Sequence, residues 1–322
     1  MSVPYQIIGW NRQKKIYDGV IAAGCAIYLA AFVGGGALLH PNATAETMII
    51  RAFGTLALLL LHIILLIGPL CRLRPVFLPL LYNRRHLGVT MFLAGLVHGM
   101  FSIIQFHAFG DVNPLLSLFS GDLFQVFGFA ALLILFVMAA TSHDFWLHNL
   151  PPLAWKKLQM LVYLAYALLI AHVSFGALQS ETSPVLASLL IAGAVLVAML
   201  HLAAALQESR MDRNLVPATN EFVEVGDFES IAEGRAKVVS IGGERIAVYR
   251  HEGKPFALSN VCRHQGGPLG EGKIVDGCVT CPWHGYQYKP DTGTSPPPYN
   301  DQVPTFHAVV VDGKVLVNPC PR

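Results

Sequence analysis

The stretch Thr47–Leu70 reads TMIIRAFGTLALLLLHIILLIGPL. Its only basic residue is Arg51, near one end, and its only histidine is His62. A run of ~20 apolar residues spans the hydrocarbon core of a bilayer as a helix, which satisfies every backbone group within one segment. Working outward, five more runs have the same character: Ile16–Leu39, Leu87–Phe106, Leu123–Ala140, Leu158–Leu178 and Val185–Leu206. The first is longer than the ~7–15 apolar residues of a signal peptide, and five spans follow it. Of the 322 residues, 54% are hydrophobic and 13% charged. A soluble domain carries roughly 25% charged residues, so disorder, a coiled coil and a wholly soluble globule are excluded.

Charge locates the boundary. Residues 1–215 hold 12 Lys and Arg against 8 Asp and Glu, while the shorter remainder holds 10 against 12. The expected organisation is a six-helix membrane domain over residues 1–211, a polar linker over 212–220 containing Pro217, and a small all-β domain over 221–322. Neither half is basic enough to imply nucleic acid. Six cysteines are too few for a disulfide scaffold. Arg12, Lys14, Lys15, Arg72, Arg74, Arg84, Arg85, Lys156, Lys157, Arg210 and Arg213 all fall on one side of the spans, and the alternate loops His40–Glu46, His107–Asp122 and Gln179–Pro184 contain no Lys or Arg. The positive-inside rule then puts both termini and the β-domain in the cytoplasm, with the spans in a cell inner membrane.

Four histidines lie within spans: His62, His98, His172 and His201. At ~1.5 Å per helical residue, His98 and His172 stand ~20–22 Å from the basic edge, and His62 and His201 ~14–15 Å from it. Two pairs at matched heights result. Ionisable groups in lipid face the bundle interior. Paired imidazoles suit bis-histidine haem iron, the plainer alternative being a histidine hydrogen-bonded to a helix carbonyl.

Arg84-Arg85-His86-Leu87-Gly88 followed by His98, and Lys156-Lys157-Leu158-Gln159-Met160-Leu161-Val162-Tyr163 followed by His172, resemble the third and fifth helices of the ferric-reductase-like transmembrane family. Within it, the pattern is most similar to the haem-binding membrane subunit of the methionine-sulfoxide reductase system. The resemblance implies b-type haem held by His98 and His172. At the positions where this family often holds a second, inner haem, the chain has Arg84 and Gln159, with His86 two residues off. A second haem would have to use His62 and His201.

In the β-domain, Lys237–Ile241 and Arg245–Tyr249 flank Gly242-Gly243, and Ala308–Val311 and Lys314–Val317 flank Asp312-Gly313, both hairpin signals. At its centre stand Cys262-Arg263-His264 and Cys281-Pro282-Trp283-His284-Gly285. Each loop supplies one thiolate and one imidazole. With Gly266-Gly267-Pro268-Leu269, Asp291-Thr292-Gly293 and Pro296-Pro297-Pro298, the domain resembles Rieske ferredoxins. That resemblance implies a [2Fe–2S] cluster held by Cys262, His264, Cys281 and His284, two cysteines on one iron and two histidines on the other. The alternative is a zinc site of Cys262, His264, Cys278 and Cys281.

Gly267 and Trp283 stand where high-potential relatives carry a disulfide clamp, and Tyr286 replaces a hydroxyl donor there, so a lower potential is expected. No oxygenase-sized domain follows the loops in this sequence. The expected function is electron transfer between a cytoplasmic [2Fe–2S] cluster and membrane haem. The donor would be a cytoplasmic reductase or ferredoxin, and the acceptor an outer-face protein or a quinone. The alternative is a membrane-tethered ferredoxin without haem.

Overall fold

The computed structural model describes residues 12–81, 83–107, 122–143, 145–146, 150, 152–180, 184–213, 221–264, 266–283, 285–297 and 299–322. The helices are α1 (Arg12–Leu39), α2 (Ala45–Leu73), α3 (Arg84–His107), α4 (Leu123–Ala140), α5 (Pro152–Gln159), α6 (Val162–Phe175), α7 (Ala177–Ser180) and α8 (Pro184–Arg213), with a 3₁₀ stretch at Pro75–Leu81. Six helical segments among the described residues are long and apolar enough to cross a membrane. The chain is a multi-pass membrane protein followed by a β-sheet domain. The fifth expected span is three helical pieces, α5 to α7. It ends its longest piece at Gly176, where a side chain would stand 2.8 Å from the His172 carbonyl oxygen and 2.9 Å from the Phe124 ring. The last helix continues to Arg213, into the stretch expected to be linker.

The backbone divides into two compact units, Lys14–Leu66 with Asn83–Met199, and Met1–Gln13 with Ile67–Tyr82 and Leu200–Arg322. In the first unit, α4 packs along α6 and α3 along α4. Tyr28 of α1 donates to Thr55 of α2 at 2.8 Å. Trp155 of α5 donates its indole N–H to the Thr141 carbonyl at 3.1 Å.

Among the described residues the β-domain has nine strands. They are β1 (Val223–Asp227), β2 (Ala236–Ile241), β3 (Glu244–His251), β4 (Lys254–Ser259), β5 (Lys273–Val275), β6 (Cys278–Thr280), β7 (Gln287–Tyr288), β8 (Thr305–Val311) and β9 (Lys314–Pro321). The large sheet has the order β1-β9-β8-β4-β3-β2 and the small one β5-β6-β7. Both expected hairpins form. Two more turn at Glu252-Gly253 and Asp276-Gly277, with positive φ at both residues of each.

β3 is buried on both faces, which explains the unbroken run Ile246-Ala247-Val248-Tyr249. Ile246 and Val248 join Val225, Phe228, Ile231, Phe306, Val315 and Val317 in the core. From the opposite face Tyr249 donates its hydroxyl to the Leu269 carbonyl. Asn260 holds the same turn, accepting from the N–H groups of Leu269 at 2.9 Å and Gly270 at 2.6 Å. The large sheet thereby fixes the segment that follows the first cysteine loop.

Candidate functional site

The two cysteine loops share one construction, offset by 19 residues. Val261 bridges Pro268, and Thr280 pairs with Gln287. Inside the first frame the Cys262 N–H donates to the Gly267 carbonyl at 2.9 Å, and the Cys281 N–H donates to the Tyr286 carbonyl at 2.8 Å in the second. The Gly266 N–H returns to the Cys262 carbonyl at 2.8 Å, and the Gly285 N–H to the Cys281 carbonyl at 2.9 Å. These closures need φ of 71° at Gly266 and 73° at Gly285, a left-handed conformation glycine adopts without penalty. Only the histidine breaks the symmetry, two residues after Cys262 but three after Cys281.

The two loops also touch. A side chain at Gly267 would stand 2.7 Å from the Cys281 sulfur and 3.1 Å from Trp283. Both cysteines are buried, and His264 stacks on Tyr286 with centroids 5.1 Å apart and planes 6° apart. His284 lies outside the described residues, as does Pro298 of the proline run. Among the described residues no two cysteines are joined as a disulfide. Among the described residues no three His, Cys, Asp or Glu side chains gather as one metal cage, which includes the proposed zinc set. A Rieske centre does not need such a gathering, since neither iron takes more than two protein ligands.

Tyr288 escaped the sequence reading. Its hydroxyl lies 3.3 Å from the Cys262 sulfur and accepts the Arg263 N–H at 2.9 Å. Because the backbone N–H can only donate, the phenol proton is left for the sulfur. Tyr286, which stands in the expected donor position, gives its hydroxyl to Asp301 instead. Burial first, and then the neighbouring carboxylate, raise the Tyr286 phenol above its ordinary value, keeping it neutral. Burial followed by the Cys262 thiol does the same for Tyr288. The signal in sequence was the Tyr-x-Tyr spacing after Gly285, which in extended backbone entering β7 brings the two phenol rings together, centroids 5.4 Å apart.

In the membrane unit His98 and His172 come together, ring centroids 6.0 Å apart. Their seats are again two copies of one design. His98 Nδ1 bonds the Ile50 carbonyl at 2.9 Å, and His172 Nδ1 bonds the Phe124 carbonyl at 2.7 Å, each partner 48 residues upstream. One turn beyond each carbonyl is a glycine. A side chain at Gly54 would stand 2.7 Å from His98 Nδ1, and one at Gly128 would stand 2.6 Å from His172 Nδ1. A carbonyl only accepts, so each Nδ1 carries the proton and each neutral ring keeps a bare Nε2. This is how metal-bound histidines are oriented by outer partners. Two neutral imidazoles with unprotonated Nε2 atoms are the donor chemistry that a bis-histidine iron would use, and His98 and His172 would be the residues to hold it.

The other histidines are engaged differently. His62 Nε2 is 2.9 Å from the Tyr166 hydroxyl. His86 pairs with Asp18 at 2.8 Å. Gln159 donates to the Met138 carbonyl at 3.4 Å, a tie between α5 and α4.

Comparison with known proteins agrees with this division. Residues 221–307 match the Rieske [2Fe-2S] domain family, and residues 53–170 match the family described as ferric reductase like transmembrane component. The β-domain is 34% identical over 101 residues to the anthranilate 1,2-dioxygenase ferredoxin subunit of Burkholderia cepacia, covering 30% of this chain and 92% of that one. Through this domain the chain belongs to the Rieske [2Fe–2S] proteins, and it carries a ferric-reductase-like membrane domain ahead of it. Cholesterol 7-desaturase nvd 1 of Ciona intestinalis is 36% identical over 89 residues, covering 27% of this chain. The chain spans only 19% and 22% of the lengths of the cholesterol 7-desaturases it matches in Ciona and Xenopus laevis. Among solved structures, the ferredoxin of carbazole 1,9a-dioxygenase from Nocardioides aromaticivorans matches at 24% identity and a TM-score of 0.29, covering 31% of this chain and 98% of that one.

Proposed function

We propose that the protein is a membrane-bound electron-transfer oxidoreductase linking a cytoplasmic Rieske centre to b-type haem in the bundle. One observation carries the reading. His98 and His172 stand 6.0 Å apart with both Nδ1 atoms committed to backbone carbonyls, on the ferric-reductase-like segment of a chain that also bears Rieske loops. When bound, the [2Fe–2S] cluster and the haem each carry one electron.

The chain's residues do the rest. Cys262 and Cys281 would hold one iron, and His264 and His284 the other. Tyr288 donates to the Cys262 sulfur and stabilises added negative charge there. Tyr286 clamps the His264 plane, itself anchored by Asp301. In the bundle the carbonyls of Ile50 and Phe124 fix the tautomer of His98 and His172, and Gly54 and Gly128 admit the rings against the helix backbones. The donor is a cytoplasmic reductase or ferredoxin, and the acceptor is an outer-face protein or a quinone. The positive-inside pattern supports a cytoplasmic β-domain.

Stopped-flow reduction tests the reading. A cytoplasmic-type reductase should reduce cluster and haem absorbance in sequence, at a second rate independent of protein concentration. His264→Ala should keep the haem spectrum and lose its reduction. A second reading, a tethered ferredoxin without haem, is favoured by the 92% coverage of a dioxygenase ferredoxin subunit. Purified protein with iron and sulfide but no haem would establish it.

A further inference from the structure

We infer that the bundle is built for one haem only, and that His62 is a haem-type seat turned round, a tie between helices that is closed to iron. The inference rests on the haem reading above and limits it. His62, His98 and His172 share one packing device, in which a glycine on a neighbouring helix lets the ring lie against backbone. The glycines are Gly193 of α8, Gly54 of α2 and Gly128 of α4. What separates the three is the edge of the ring that meets the glycine.

A side chain at Gly54 would meet Nδ1, Cε1 and Cγ of His98 at 2.7, 3.0 and 3.4 Å. One at Gly128 would meet the same three atoms of His172 at 2.6, 2.8 and 3.3 Å. Both rings therefore keep Nε2 on the edge away from the glycine. At Gly193 the order is reversed. The nearest atom is His62 Nε2 itself, followed by Cε1 at 2.5 Å and Cδ2 at 2.7 Å. The nitrogen left bare in the other two seats is here pressed against the α8 backbone. It is also engaged by the Tyr166 hydroxyl at 2.9 Å, with the two rings edge to face. His62 is 7% exposed and Tyr166 8%. An iron on Nε2 would have to stand where even a methyl group has no room. A half-turn of the ring does not help, because it exchanges Nε2 with Cε1 and Nδ1 with Cδ2, and all four places face the same helix.

The positions that hold an inner haem in the ferric-reductase-like pattern do not supply one here. Arg84 has only donors to offer. Gln159 commits its amide nitrogen to the Met138 carbonyl at 3.4 Å and the Thr141 hydroxyl at 3.5 Å. His86 and His201 do not replace His62. By helical rise the first sits at the basic edge and the second ~14 Å inside it, so they make no level pair. His62 instead joins α2, which carries Ile50 and Gly54, to α6, which carries His172. A buried polar pair of this kind satisfies both partners where lipid offers no hydrogen bonds. With both centres loaded, the chain stores two electrons, one on the cluster and one on the haem.

The test counts haems and electrons on the purified full-length chain. Haem is measured by the pyridine haemochrome assay against protein, and electron uptake by anaerobic reductive titration. Wild type should give one haem and two electrons per chain. His62→Gln keeps a partner for the Tyr166 hydroxyl but offers no imidazole, and it should leave the haem count and the low-spin spectrum unchanged. Tyr166→Phe should do the same. His98→Gln should bring the count to zero. Two haems per chain, a third electron, or loss of haem from folded His62→Gln would overturn the inference while the electron-transfer reading stands. Absence of haem from the wild type would overturn that reading and the inference with it.

Discussion

The cysteine loops and the membrane histidine seats are both doubled structures, yet they position their side chains by different means. In the loops, the backbone does the work. Cys262 and Cys281 are each gripped by a pair of main-chain hydrogen bonds within six residues of the cysteine, and a glycine closes the turn. In the bundle, the helix leaves no main-chain donor or acceptor to aim a ring. His98 and His172 are oriented instead by carbonyls on another helix, with a glycine making room one turn on. A local device needs only its own loop, whereas the membrane device needs two helices in register. The loops should therefore tolerate changes elsewhere, and the seats should fail when a neighbouring helix is altered.

The largest expected effects test the local device. Cys262→Ser or His284→Ala should abolish a Rieske-type EPR signal and acid-labile sulfide outright, while the bundle still inserts and keeps its absorbance. Zinc in place of iron and sulfide in the intact protein would break the comparison at its first term.

Next come the seats. His98→Ala or His172→Ala should remove low-spin b-type haem from the reduced-minus-oxidised spectrum. Gly54→Ala and Gly128→Ala change no ligand, yet their new methyl groups would stand 2.7 and 2.6 Å from the Nδ1 atoms. The rings must move and give up their carbonyls, and losing the hydrogen bond that orients a metal-binding histidine costs about 10–100-fold in affinity. Haem content should fall in both, while Gln159→Ala should retain it. Glycine variants with full haem would show that the seat does not orient the ring.

The same contrast explains what could be read from sequence. Cys-x-His and Cys-x-x-His are contiguous, so the whole loop chemistry stands in a few residues and its hairpins announce themselves by Xaa-Gly turns. Matched depth put His98 beside His172, because helical rise is regular. The partners Ile50, Gly54, Phe124 and Gly128 were illegible. They are ordinary apolar and small residues, and nothing in a single span says which carbonyl another helix will face. His62 was visible as an intramembrane histidine, but its bond to Tyr166 depends on two helices meeting. Tyr288 was missed because the sequence reading followed the position after His-Gly, held by Tyr286, whereas it is the phenol two residues further on that reaches the sulfur.

That pair of phenols gives a smaller and sharper test. Tyr288→Phe removes a donor to the Cys262 sulfur. One such bond is worth about 1 kcal/mol, and for a one-electron couple this lowers the cluster midpoint by about 40–60 mV. Tyr286→Phe should shift it less, since that hydroxyl serves Asp301. Protein-film voltammetry on the full-length chain compares the two. Equal shifts would mean that the loops, like the membrane seats, depend on a remote anchor.

The smallest effect concerns Glu271, at the end of the 3₁₀ turn after the first loop. Burial is the main cause that lifts its carboxyl to about 7, with Glu208 adding to the rise and Arg72 and Arg245 opposing it. Arg72 is shared, since it also pairs with Glu208 at 3.4 Å. The folded-state value lies above the ordinary 4.5. Folding therefore binds a proton here, and the protonated form favours the native state. That contribution is complete below about pH 4.5 and is lost as pH rises through about 7. Glu271→Gln mimics the protonated form at every pH. It should leave the thermal midpoint of the β-domain near wild type at about pH 5 and raise it at about pH 8, by a few degrees for each kcal/mol recovered. A flat difference between the two pH values would mean that Glu271 is ionised throughout. The turn that follows the first cysteine loop would then be held by Tyr249 and Asn260 alone, and the loop would be as self-contained as its hydrogen bonds suggest.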